Sequence, residues 1–144
     1  MLTTVDGLSA RRKTIVLATC CLSLLIVSMD ATIVNVAIPA IQADLHAPLS
    51  RLQWIVDAYT LTLASFLMLA GTAADRFGRR KVFRIGLATF ALGSLLCSLA
   101  PTIEVLIGAR FLQAVGGSML NPVAMSIITT VFTGRVERAR AIGV

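Results

Sequence analysis

The 144 residues predict an all-α fold, a polytopic bundle of membrane-crossing helices. Three observations carry that prediction. The chain is 57% apolar and 14% charged, with a mean hydropathy of +0.88; a soluble domain is about a quarter charged and about half apolar. The apolar residues fall into four runs, each near or above the roughly 18–20 residues that a helix needs to cross a bilayer core. The cations sit in short clusters at the ends of those runs, as topology signals do. A formal charge of +6 could point to nucleic acid, but one Trp and one Tyr, with no stacking motif among the basic residues, argue against it.

Taken in order, residues 1–13 form a short tail ending in Arg11, Arg12 and Lys13. The apolar run behind it imitates a signal peptide, yet it continues past Ala31 to Ile41 with no small-residue cleavage pattern, so it reads as a retained first span. That span is predicted over 14–38, closed near Pro39. The second covers 52–74, with Trp54 at its start, where an interfacial aromatic would sit. The third covers 82–99 and is closed by Pro101; Gly86, Gly93 and Cys97 share one of its faces and permit close helix contact. The fourth covers 103–132, with Pro122 as a cause of kinking. Residues 133–144 form a basic loop that turns apolar again at Ala141, like a fifth span cut short. That ending leads us to expect a fragment of a longer protein.

The three cysteines, Cys20, Cys21 and Cys97, fall inside predicted spans and behave there as small hydrophobes. No metal site is expected, and His46 stands alone in a predicted loop. Counting cations by loop orients the chain. Three precede the first span against Asp6, and Arg51 balances Asp44 after it. Arg76, Arg79, Arg80, Lys81 and Arg84 surround Asp75 after the second span, only Glu104 follows the third, and Arg135, Arg138 and Arg140 face Glu137 at the end. The strict alternation places both termini in the cytoplasm.

Asp30, Asp57 and Arg110 lie within spans. Each costs about 2.5–3.5 kcal/mol at a helix centre, so lipid exposure is disfavoured. At a rise of 1.5 Å per residue, all three fall in the outer half of the membrane, roughly 8–14 Å from its outer end. Gln113, Gly117 and Asn121 follow Arg110 at helical spacing. This polar and small stripe should line a water-filled cavity or meet a neighbouring helix. Two readings of Asp30 and Arg110 stay open: a fixed ion pair, or a carboxylate that loads and releases a proton as its distance from the arginine changes.

The segment Gly71-Thr-Ala-Ala-Asp75-Arg76-Phe-Gly78-Arg79-Arg80-Lys81 also has two readings. It is a cytoplasmic topology anchor, or it is a charge cluster in which Asp75 pairs with a helix N-terminus or a distant arginine and holds one conformation closed. Gly71 and Asp75 share a face, and Gly78 permits a sharp turn.

These motifs together resemble a known family. Met29-Asp30-Ala-Thr-Ile-Val-Asn35-Val-Ala-Ile-Pro39 is similar to the first-span signature of the fourteen-span drug–proton antiporters of the major facilitator superfamily. Gln53-Trp54-Ile-Val-Asp57-Ala-Tyr59 resembles the start of their second span, and an aspartate there resembles the quaternary-ammonium exporters. Gly71 to Lys81 resembles the superfamily's loop signature, and Arg110-Phe-Leu-Gln113-Ala-Val-Gly116-Gly117 its fourth-span motif. Arg138 to Gly143 looks like the entry to a fifth span. The resemblance implies that Asp30 and Arg110 handle protons and that Asp57 favours cationic substrates. It implies that Gly71, Asp75, Arg76, Gly78, Arg79 and Arg80 gate the cytoplasmic side. It further implies efflux of small lipophilic or cationic molecules across the cytoplasmic membrane, driven by the proton gradient without a bound cofactor, with membrane lipid as surroundings and the remaining helices required.

Two other readings compete. One is a transporter of another substrate; the other is a truncated membrane protein that does not transport. An enzyme is not expected, since the chain carries no H-E-x-x-H and its single histidine lies in a loop.

Overall fold

A computed structural model describes residues 10–46 and 48–131. Expectations for the first nine residues, the last cluster of cations and the start of a fifth span lie outside the described residues. Four helices follow one another: α1 (Ala10–Leu45), α2 (Leu49–Phe77), α3 (Arg79–Ser98) and α4 (Ile103–Val131). Each is long and apolar enough to cross a membrane. No strand occurs among the described residues.

α1 and α2 begin and end beyond the predicted limits, and α3 begins before its own. α1 is helical from Ala10, inside the expected tail, and it does not stop at Pro39 but continues to Leu45. Proline's fixed φ is itself helical, and its disruption comes from one missing amide and a clash one turn back. Leaving the helix inside lipid would bare more backbone groups than the one carbonyl that proline frees, so the helix persists. α4 likewise runs through Pro122.

The basic turn is far shorter than a loop. Gly78 is the single residue between α2 and α3, at φ 96°, where a side chain would be strained. Its amide closes α2 by donating to the Ala74 carbonyl at 3.0 Å. Arg79, Arg80 and Lys81 therefore form the first turn of α3. Cations at that end oppose the helix dipole, so local helix stability is not what places them there.

α4 is the most buried of the four and forms the centre of the bundle. Its seam with α3 is set by glycines. A Cβ at Gly116 would lie 2.4 Å from the Phe90 amide nitrogen, one at Gly93 2.6 Å from the Gln113 Cα, and one at Gly86 2.7 Å from the Met119 Cβ. The contact expected of Gly86 and Gly93 is thus a backbone-to-backbone approach, the kind that holds helices together where lipid is as apolar as leucine.

Two apolar clusters occupy different levels of the bundle. One joins Leu52 and Ile55 of α2 to Ile103 and Leu106 of α4. The other joins Cys20 and Val27 of α1 and Val82, Phe83 and Phe90 of α3 to Leu120, Val123 and Ile128 of α4. Along α4, residues 107–119 lie between them, and that interval carries the buried polar residues Arg110, Gln113 and Ser118.

Candidate functional site

Arg110 and Gln113, one turn apart on α4, are both buried in this interval. Asp30 reaches them from α1. An Arg110 guanidinium nitrogen (Nη1) donates to Asp30 Oδ2 at 2.7 Å and to Gln113 Oε1 at 2.9 Å. The Gln113 amide donates to the other carboxylate oxygen, Oδ1, at 2.8 Å. Three side chains thus close a ring in which both carboxylate oxygens are satisfied, as a charge taken out of water requires. Side-chain exposure is 4% for Arg110 and 15% for Asp30, so the carboxylate is the edge of the cluster nearest an opening.

Two further residues complete the surroundings. The Arg110 guanidinium lies over the Tyr59 ring of α2, 4.2 Å from its centre. The Cys97 thiol of α3 donates to Gln113 Oε1 at 3.5 Å. All four helices therefore contribute to one polar cluster. Two of its buried atoms, Tyr59 Oη and Arg110 Nε, have no hydrogen-bond partner among the described residues.

The predicted stripe on α4 divides. Gln113 and Gly117 are buried against protein: Gln113 beneath Gly93, and Gly117 beside Tyr59, where an added Cβ would lie 3.4 Å from the hydroxyl. They meet neighbouring helices, the second of the two expected surroundings. Asn121 is half-buried. Asp57 stands apart from the cluster at a comparable level. It is half-buried beside a cavity of about 410 Å³ whose walls include Ile38, Leu49, Leu52, Gln53 and Val56.

At the other end of α2, Asp75 and Arg76 are exposed and Gly71 has open space beside it. Arg79 accounts for the local pairing: it meets Asp75 Oδ1 at 3.3 Å and donates to the Ser126 carbonyl of α4 at 3.2 Å. Among the described residues, the partner of Asp75 is the arginine one turn on, not a distant one. Arg80 is exposed and lines a mostly apolar cavity of about 220 Å³ with Ile15, Val16, Phe83, Arg84 and Ile127.

Comparison with known proteins shows the family. The family model of the Major Facilitator Superfamily matches residues 20–144. The chain belongs to that superfamily. The match fixes the all-α fold, a multi-pass membrane protein of a transporter superfamily. Superfamily members named for drug resistance are among the most similar. A puromycin resistance protein of Streptomyces alboniger is 44% identical over 83% of this chain and 24% of its own length. A multidrug efflux pump of Mycolicibacterium smegmatis is 38% identical over the whole chain and 30% of its own length. A riboflavin transporter of Clostridioides difficile is 34% identical over 93% of the chain and 29% of its own length. The chain thus spans between about a quarter and a third of the length of these relatives.

Sequence reasoning missed Tyr59 and the thiol of Cys97 as members of the cluster. A signal existed for Tyr59, the only tyrosine in the chain, set inside an apolar span one helical turn beyond Ile55. Cys97 already shared a face with Gly86 and Gly93, and that face is the one that meets Gln113.

Proposed function

We propose that this chain forms the proton-handling part of an exporter that expels lipophilic or cationic drug-like molecules across the cytoplasmic membrane in exchange for protons. The observation that carries the reading is the buried ring of Asp30, Arg110 and Gln113. A carboxylate held by one guanidinium nitrogen and one amide can give up the first contact, take a proton and keep the second. The relatives named as a multidrug efflux pump and a puromycin resistance protein support the export of drug-like substrates. In this reading both ends of the chain face the cytoplasm, no cofactor is bound, and the segment around Gly71, Asp75 and Arg79 closes the cytoplasmic side.

The test is Asp30→Asn in the polypeptide as its gene encodes it, assayed for proton-driven export of an ethidium-like cation from membrane vesicles. Export should fall to background with the protein still present in the membrane, because asparagine keeps the side-chain shape and one acceptor oxygen and loses the exchangeable proton. Undiminished export would remove Asp30 from proton coupling.

Asp57 supports a preference for cations, since a single carboxylate beside apolar walls suits a lipophilic cation. Asp57→Asn should lower the export of dications more than that of monocations. Equal loss for both would make Asp57 a packing residue. A second reading, transport of another substrate, is favoured by the similarity to the riboflavin transporter, and a competition assay with riboflavin in the same vesicles separates the two.

A further inference from the structure

Arg110 is paired in an unusual way for a buried arginine. A guanidinium commonly grips a carboxylate with two parallel N–H bonds. Here one nitrogen serves both Asp30 and Gln113, the Gln113 amide takes the second carboxylate oxygen, and Nε has no partner among the described residues. What holds the face of the cation is the Tyr59 ring. The ring is buried and its hydroxyl makes no hydrogen bond to the described residues, so Tyr59 serves the cluster through its π face.

That contact has a consequence once Asp30 is neutral. With the carboxylate charged, the guanidinium already has a counter-charge, and the ring adds little. With the carboxylate protonated, the Gln113 carbonyl oxygen and the ring are the remaining electrostatic partners of a cation from which water is excluded, where a ring contact is strongest. We propose that Tyr59 is a positioning residue that stabilises Arg110 while Asp30 carries a proton, so that the arginine stays within reach to displace that proton. The proposal rests on the proton-handling reading above. The titratable or charged groups that meet at this point are Asp30 from α1, Tyr59 from α2, Cys97 from α3 and Arg110 from α4; Asp57, two residues before Tyr59, lies beside its own cavity.

The experiment is an infrared titration of the full polypeptide in liposomes, following the carboxyl band that Asp30→Asn removes. Tyr59→Phe should leave the midpoint unchanged, because it keeps the ring and discards a hydroxyl without a partner. Tyr59→Leu should move the midpoint to lower pH by about one unit, a roughly tenfold weaker hold on the proton, because it removes the partner that matters most in the protonated state. Fluorinated phenylalanines at position 59 weaken the ring face at nearly constant shape, and should move the midpoint stepwise in the same direction even where Tyr59→Leu fails to accumulate. A midpoint that ignores both leucine and fluorination, while the Asp30 band still titrates, overturns the role of Tyr59 and leaves the proton-handling reading standing. An Asp30 band that never titrates overturns both.

Discussion

Alanine at Gly116 should force α3 and α4 apart and destabilise the bundle strongly for a single added methyl group. The new Cβ would meet backbone, the Phe90 amide nitrogen at 2.4 Å and the Gly86 carbonyl oxygen at 2.7 Å. No rotamer change relieves a clash with backbone. Overpacking of a well-filled interior costs about 1–3 kcal/mol and more where nothing yields. Gly93→Ala should act similarly and strike the site directly, since its contact is the backbone of Gln113. Gly108→Ala is the matched control on α4, because a Cβ there meets nothing within 4 Å, and losing a helix glycine gains roughly 0.5–1 kcal/mol. Thermal unfolding in detergent should separate the two signs. Equal midpoints for Gly116→Ala and Gly108→Ala would mean that the α3–α4 seam has room for an extra methyl group.

Arg110→Leu should carry the other large effect. It leaves Asp30 Oδ2 and Gln113 Oε1 without their guanidinium donor in a buried place, and breaking a buried pair from one side costs about 3–5 kcal/mol. Most of that cost is the stranded carboxylate, not the lost attraction. Asp30→Asn should therefore restore part of the stability when added to Arg110→Leu, with a coupling of about 0.5–3 kcal/mol in a double-mutant cycle. Additive losses in the same unfolding assay would show that the two side chains do not share an interaction.

Level along the bundle was legible in the sequence; position around the helix axis was not. A fixed rise per residue is enough to place Asp30, Asp57 and Arg110 at similar levels. Two of them meet and the third does not, because a helix turns 100° per residue and only packing decides which azimuth faces which neighbour. Helix ends were misplaced for a related reason. Pro39 reads as a stop by the rules of water-exposed helices, whereas inside lipid the backbone has nowhere better to go. The compact turn at Gly78 was foreshadowed by the glycine itself, but its reduction to one residue emerged only in the folded bundle.

What the sequence determined by itself is the membrane-helical fold, the four apolar runs, and which residues are too polar for lipid. Those follow from transfer free energies, which are local and additive along the chain. What only the tertiary structure decided is the partnership. It brought Tyr59 beneath Arg110, put Gln113 on the second oxygen of Asp30, and set Asp57 beside a separate cavity. Such contacts join residues as much as 83 positions apart. They depend on helix rotation and on the close approach that Gly93 and Gly116 permit.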